Sequence, residues 1–404
     1  MALVDKKAPE LRFKGFTEDW KLCKLNELAH FSKGSGYTKN DLTESGSPII
    51  LYGRLYTNYQ TVINNVDTFV EMKDKSVISV GNEVIVPSSG ESSEDIARGS
   101  VVDATGIILG GDLNVIKPKD EINSTFLALT ISNGQQQREL SNRAQGKSIV
   151  HLHNSDLKEV NLIFPIINEQ KQIGDFFKVF ENTITLHQRK LDKTLSVRTG
   201  ILESLFPSRN DDTPVLRVTH FNSKWNQCNL GDCFDERNEK SQDGELLSVT
   251  IDRGVVLTSS LNRVDNSSDD KSNYKLVLPN DIAYNSMRMW QGASGVSNFK
   301  GIVSPAYTVL KPKPNISSHF FAYMFKLRHM IQMFEKHSQG LTSDTWNLKF
   351  PALSKINVRI PESLEEQTLI VNLLQSVDQT IEYHQNKLVQ LKQLKSAYLQ
   401  KMFI

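Results

Sequence analysis

The stretch PELRFKGFTEDWKLCKL, Pro9 to Leu25, returns 205 residues later as PVLRVTHFNSKWNQCNL, Pro214 to Leu230. Seven of the seventeen positions are identical: Pro9/Pro214, Leu11/Leu216, Arg12/Arg217, Phe16/Phe221, Trp20/Trp225, Cys23/Cys228 and Leu25/Leu230. A tandem repeat limits the fold before any secondary structure is assigned, because each copy must build a similar unit. At 404 residues the chain is too long for one ordinary core, and two units of about 200 residues fit it.

The repeat is strongest in two long helical segments. From Asn168, an expected N-cap, to Pro207, an expected stop, apolar residues recur at spacings of three and four: Ile173, Phe176, Phe177, Phe180, Ile184, Leu191, Leu195, Ile201, Leu202 and Leu205. The second segment carries Leu369, Ile370, Leu373, Leu374, Val377, Ile381, Leu388, Leu391, Leu394, Tyr398, Leu399 and Met402 on one stripe. The two segments also match each other, at Glu169/Glu366, Gln170/Gln367, Ile173/Ile370, Thr183/Thr380, His187/His384 and Phe206/Phe403 among others. Each helix should run roughly 55 Å. Two such units can bury both stripes by pairing the helices antiparallel about an internal pseudo-twofold axis, as a coiled coil.

Between the helices, residues 20–155 and 221–351 show short apolar or alternating runs broken by Gly, Asn, Ser and Pro. SVISVGNEVIV, GIILGGDLNVIKPK, YKLVLPNDIAYN and GIVSPAYTVLKPK read as strands with turns. Gly106 and Ile107 answer Gly301 and Ile302, and Lys117 to Lys119 answers Lys311 to Lys313, while the intervening loops do not match. A shared scaffold with divergent loops places recognition in the loops. The expected fold is α+β: two β-rich domains of mixed structure, repeated in tandem and separated by two long helices. Its expected boundaries are 1–155, 156–207, 208–351 and 352–404.

Several function classes find no support. The net charge of +1 offers no global footprint for nucleic acid. No apolar run is long enough to span a membrane, and MALVDKKAPE has no signal-peptide core, so a cytoplasmic protein is expected. Three cysteines fit neither a disulfide framework nor a two-pair zinc site; Cys23 and Cys228 are expected as small core residues, and no metal is expected at Cys233. QGKSI, Gln145 to Ile149, lacks the first glycine of a phosphate loop and a strand feeding it. GSGYTKN, Gly34 to Asn40, lacks the third glycine or alanine of a dinucleotide fingerprint. No Pro-Pro occurs, so the tetrapeptide of an amino-methyltransferase is absent. Glu91, Glu94 and Asp95 read as solvated loop charges. His187 and His384 read either as a ligand or switch pair or, more simply, as hydrogen-bonded interface residues. Nothing assembles into a catalytic site.

The opening PELRFKGFTEDWKLCKL, the junctions LKEVNLIFPIINEQKQIGDFF and LSKINVRIPESLEEQTLIVNLL, and the closing HQRKLDKTLSVRTGILESLF and HQNKLVQLKQLKSAYLQKMF resemble the specificity subunit of type I restriction-modification systems. The resemblance spans essentially the whole chain and is weakest in the variable segments. It implies two target-recognition domains, each reading one half of a split, asymmetric double-stranded DNA site, joined by helices that fix the separation. It implies no catalysis and no cofactor in this chain. Two methyltransferase subunits would carry S-adenosylmethionine and methylate adenine; restriction/translocase subunits would use ATP and Mg. Docking of such partners is expected on the helices at Phe177, Phe180, Ile184, Leu374, Val377 and Ile381. Half-sites on one duplex face recur about every 34 Å, a span that a helix pair of roughly 55 Å accommodates.

Base readout calls for Arg or Lys at guanine and Asn or Gln at adenine, with hydroxyls and lysines on phosphates. In the first domain this points to Lys33, Ser35, Tyr37, Arg54, Tyr56, Ser88, Ser89, Gln145, Lys147 and Ser148. In the second it points to Arg237, Asn238, Lys240, Arg253, Asn285, Ser286, Arg288, Gln339, Thr342 and Ser343. Gln145 and Gly146 pair with Gln339 and Gly340 as a shared loop just before each helix. Taken singly, each residue is as readily a solvated loop side chain as a contact. Two other builds stay open: a solitary DNA-binding protein, and a coiled-coil scaffold presenting two domains to protein or glycan ligands.

Overall fold

A computed structural model of the chain describes residues 8–146, 149–208, 211–217, 221–261 and 267–404. The chain divides into two compact units, one of residues 1–189 and 385–404, the other of residues 190–384. The division falls inside the two long helices, Ile167–Ser204 and Leu364–Met402, not at their ends. The reason lies in the packing, because the two ends of each helix are buried in different cores. Among the described residues no helix is long and apolar enough to cross a membrane.

In the first unit a five-stranded sheet runs in the order Ala29–Lys33, Leu113–Pro118, Glu83–Pro87, Ser100–Val102, Val62–Ile63, and only the last pair is parallel. A second sheet of four short strands sets Ile108–Leu109 parallel to Ser47–Ile50. The second unit repeats the plan with four-stranded sheets. Tyr307–Pro312 pairs antiparallel with Phe234–Glu236 and Ile282–Asn285, and Glu245–Thr250 runs parallel to Gly301–Val303. The four expected strand-and-turn segments all contain strands. Asn82 and Asn280 turn their corners in the left-handed region, at φ +66° and +70°, where asparagine is tolerated.

The repeated opening has a structural job in each unit. Lys21–Lys24 pairs antiparallel with Asn161–Phe164, the strand leading into the first long helix, and Asn226–Asn229 pairs the same way with Asn357–Ile360 before the second. Arg12 then clamps the buried Glu169 carboxylate through Nε at 2.8 Å and Nη2 at 2.7 Å. Arg217 does the same to Glu366 at 2.8 and 2.9 Å. The neighbouring glutamine fastens a second element: Gln170 Oε1 accepts from the Asn123 amide at 2.9 Å, and Gln367 Oε1 from the Ser317 amide at 2.9 Å. Asn123 and Ser317 cap the helices Ser124–Ile131 and Ser318–Met324, so Glu-Gln ties three segments together. The first long helix begins at Ile167, which places Asn168 in its first turn instead of at its N-cap.

Each core closes on an aromatic group from the far end of the other half's helix. Trp20 meets Phe126 edge-on at 5.8 Å, and Phe126 stacks on Phe403 at 5.8 Å. In the second unit Trp225, Phe320 and Phe206 form the equivalent trio, at centroid distances of 5.1 to 6.1 Å. The helices are antiparallel within each unit. In the first, Phe176 meets Tyr398 and Glu181 accepts from Lys395 at 2.7 Å. In the second, Arg198 pairs with Asp378, while Leu202 and Leu205 share a core with Ile370, Val371 and Leu374.

The cysteines depart from expectation. Cys23 and Cys228 are half-buried, since they lie on two-stranded ribbons with one open side; only Cys233 is buried. Among the described residues no cluster of three or more His, Cys, Asp or Glu could hold a metal. His384 is buried and His187 half-buried, each with a partner.

Candidate nucleic-acid interface

The loop pairs singled out by Gln-Gly prove to be structural equivalents. In the first unit the helix Gly134–Arg143 ends, and Gln145 forms an antiparallel bridge with His151, the two amides donating at 3.1 and 2.8 Å. In the second, Arg328–His337 ends and Gln339 bridges Asn347, at 3.0 and 2.8 Å. Gly146 and Gly340 follow at φ +144° and +149°, backbone that a side chain would strain. Each loop is thus pinched at its base, and the described residues that follow, Gly146 and Ile149 in the first and Gly340 to Thr345 in the second, are exposed. Gln145, Gln339, Thr342 and Ser343 are exposed; Lys147 and Ser148 lie outside the described residues. Each loop also exposes an aliphatic side chain, Ile149 and Leu341, that polarity-based reading passes over.

Around the first loop, strand Val150–His151 pairs with Ser89–Gly90, and Ser89 Oγ lies 3.2 Å from His151 Nδ1. Tyr56 donates its hydroxyl to the Ser89 carbonyl at 2.9 Å, and burial raises its pKa. The Ser88 carbonyl accepts from Leu152, and its side chain is buried. Lys33 is exposed at the end of its strand; partial burial lowers its pKa, and Asp112 opposes that shift. Ser35 Oγ accepts from the Val77 amide at 3.1 Å, and Arg54 is tied to Asp67 at 2.5 Å. Tyr37 is buried, its hydroxyl accepting from the Lys73 amide at 2.7 Å under the Lys73 ammonium. Ser35, Tyr37, Arg54, Tyr56, Ser88 and Ser89 therefore hold the scaffold. The SKGSGY segment is short of space, and Ser35 and Tyr37 turn their hydroxyls inward to meet the neighbouring backbone.

Three loops meet around the second. The turn at Thr250–Gly254 carries exposed Arg253, whose amide donates to Thr250 Oγ1 at 3.0 Å. The segment from Asn285 to Gly292 carries exposed Arg288; Asn285 Oδ1 accepts from the Met287 amide at 3.0 Å, which occupies it in the turn. Trp290 meets Trp346 edge-on at 5.3 Å, and the Leu348 amide donates to the Ser286 carbonyl at 2.8 Å. Ser286 is buried, with Oγ 2.8 Å from Thr308 Oγ1. Asn238 and Lys240 are exposed, Lys240 donating to Asn273 at 2.7 Å.

Arg237 is corrected most sharply. Its guanidinium is buried and grips buried Asp281 at 2.7 and 3.0 Å, and that hydrogen-bonded pairing raises its pKa. A guanidinium so engaged has no fork left for a base. The expected partner residues are also largely inside: Phe177 and Leu374 are fully buried, Ile381 is buried, and Phe180, Ile184 and Val377 are half-buried. Much of each apolar stripe, Ile173, Phe177, Leu191 and Leu202 in the first helix and Ile370, Leu374, Ile381 and Leu388 in the second, is buried by the fold itself. The exposed apolar side chains of the helices include Leu195, Leu369, Leu373 and Leu394 from the stripes and, outside them, Val179, Leu186, Val197, Tyr383 and Val389.

The family model described as the type I restriction modification DNA specificity domain matches residues 17–195 and again 222–393, one match in each half. The chain belongs to this family. It is a specificity subunit of a type I restriction-modification system with two target-recognition domains. It is 19% identical over 411 residues to the type I restriction enzyme MjaVIII specificity subunit of Methanocaldococcus jannaschii, covering 95% of this chain and 91% of that one. It is 20% identical to the putative MjaX specificity subunit of the same organism, covering 95% and 92%. The fold is similar to the crystal structure of a type I restriction-modification S subunit from M. genitalium, with a TM-score of 0.61, 16% identity, and coverage of 98% and 99%. In this specificity subunit the duplicated opening, the Glu-Gln clamp and the pinched Gln-Gly loops recur in both halves, while the residues that the loops expose differ.

Proposed function

We propose that the two target-recognition domains read the two halves of an asymmetric, bipartite DNA site through the loop clusters around Gln145 and Gln339. The contacts are drawn from the side chains that the fold leaves exposed: Lys33 and Gln145 in the first domain, and Asn238, Lys240, Arg253, Arg288, Gln339, Thr342 and Ser343 in the second. Arg and Lys suit guanine or phosphate, Asn and Gln suit adenine, and hydroxyls suit phosphate. The observation that carries this reading is that a Gln-Gly loop closed by an antiparallel bridge stands at the same place in both halves, the bridged residues six apart in the first and eight apart in the second, with different exposed residues, which fits two unlike half-sites. The chain supplies no catalysis of its own. It docks two adenine-methyltransferase subunits that bind S-adenosylmethionine, and restriction/translocase subunits that use ATP and Mg, in the cytoplasm. The exposed apolar residues on the long helices support this docking role.

The test is co-expression with the methyltransferase of the same operon, followed by mapping of methylated adenines in host DNA. One split motif is expected, methylated on both strands, with each half switching separately when residues 20–155 or 221–351 are exchanged for those of a relative. A soluble, assembled complex that methylates no motif would remove the reading and favour the ligand-presenting scaffold.

A further inference from the structure

Lys326 stands two residues beyond the helix Ser318–Met324 and directs its ammonium into the second domain. Nζ donates to three backbone carbonyls: Ile251 at 2.9 Å, Gly292 at 2.5 Å and Ser294 at 3.2 Å. An ammonium has three donors and no acceptor, so all three are spent. Ile251 lies two residues from Arg253, and Gly292 four residues from Arg288. Gly292 closes the turn Met289–Gln291 at φ +84°, which points its carbonyl back to the lysine. One cation thus joins the loop that carries exposed Arg253 to the loop that carries exposed Arg288.

The other half shows what this position does on the common scaffold. Ser132 stands nine residues after the cap Asn123, as Lys326 stands nine after the cap Ser317. Ser132 Oγ accepts from the Gly99 amide at 2.8 Å and from the Tyr59 hydroxyl at 3.2 Å, a short link to the edge of a strand. Replacing a hydroxyl by a four-carbon stem extends the same link outward into the variable loops. Burial lowers the Lys326 pKa to about 8, against the pull of Asp252, and Lys326 is held where a hydrated surface lysine would not be.

Resting on the reading of these loops as a DNA-recognition surface, we infer that Lys326 is a positioning residue for specificity in the second half-site, fixing Arg253 and Arg288 relative to each other without touching DNA. The neighbouring Trp290–Trp346 contact extends this frame to the Gln339 loop.

The experiment is methylated-adenine mapping with the assembled complex carrying Lys326→Met or Lys326→Arg. Lys326→Met should leave the first half of the motif intact and degrade the second. Bases there become degenerate, their discrimination falling by roughly ten- to a hundredfold. Lys326→Arg, which keeps the charge and the donors, should restore the second half in large part. A merely structural lysine would lower complex yield and methylation of the whole motif with no change in its bases. That result, or an unchanged motif in Lys326→Met, overturns the inference. Should Lys326→Met not fold, Lys326→Gln, which keeps two donors without the charge, carries the same comparison. Failure of the wild type to methylate any motif would instead strike the underlying reading, and the inference with it.

Discussion

Arg12 and Arg217 show how a repeat identity becomes an energy. Each grips a glutamate at the start of a long helix, and those carboxylates are almost inaccessible, at 1% exposure each. Removing one member strands a buried charge, whereas a surface pair would contribute little. Arg12→Ala is expected to destabilise the first unit by roughly 3–5 kcal/mol. Arg12→Ala combined with Glu169→Leu, which removes the stranded carboxylate, should recover part of the loss. Urea denaturation of both variants checks this; equal losses would mean that the pair contributes nothing beyond its packing. Arg237 teaches the converse. An arginine in a polar segment read as a base contact, yet Asp281, 44 residues away, claims it, and no local pattern announces that partner.

Among the elements, strands and long helices were legible because their periodicity is local, while the SKGSGY segment was not. Gly34 is there for close approach of two backbones: a Cβ would lie 1.9 Å from the Gly110 carbonyl oxygen and 2.6 Å from that of Leu109. The backbone comes this close because Ser35 bridges Gly110 in parallel fashion. Gly34→Ala must therefore move backbone, not a side-chain tip, and should cost about 1–3 kcal/mol or more by overpacking. Thermal unfolding of the full chain would register it as a shift in the first unit. Methylation by the assembled complex should weaken at the first half-site and keep the bases of the second. An unchanged midpoint would show that the two strands can part without cost.

For the whole molecule, the partner surface must be sought among the apolar side chains that the fold leaves exposed. Leu186 and Tyr383 occupy equivalent positions in the two helices and are 50% and 58% exposed; Val197 and Leu394 form a second equivalent pair. Docking two copies of one partner, as proposed above, would use such matched apolar positions, and burying them in a complex is favourable. Leu186→Glu with Tyr383→Glu is expected to abolish co-purification of the methyltransferase while changing the stability of the chain by less than about 0.5 kcal/mol. Affinity purification with quantified subunit ratios decides it, since an unchanged ratio would place the docking face elsewhere. Phe177 and Leu374, in contrast, are core residues whose loss would unfold the unit that holds them.

By itself the sequence determined the duplication, the two long helices, the strand-bearing segments and the paired Gln-Gly loops. All of these follow from spacing and identity along the chain, which backbone geometry converts directly into elements. Tertiary structure alone decided which polar residues face outward and which apolar ones remain uncovered. It turned Tyr37, Arg54, Arg237 and Ser286 inward, left Arg253, Arg288 and Gln339 exposed, and placed Lys326 between two loops that are distant in sequence. Burial and hydrogen-bond partnership depend on groups tens of residues away, so they come into being only when the chain has closed on itself.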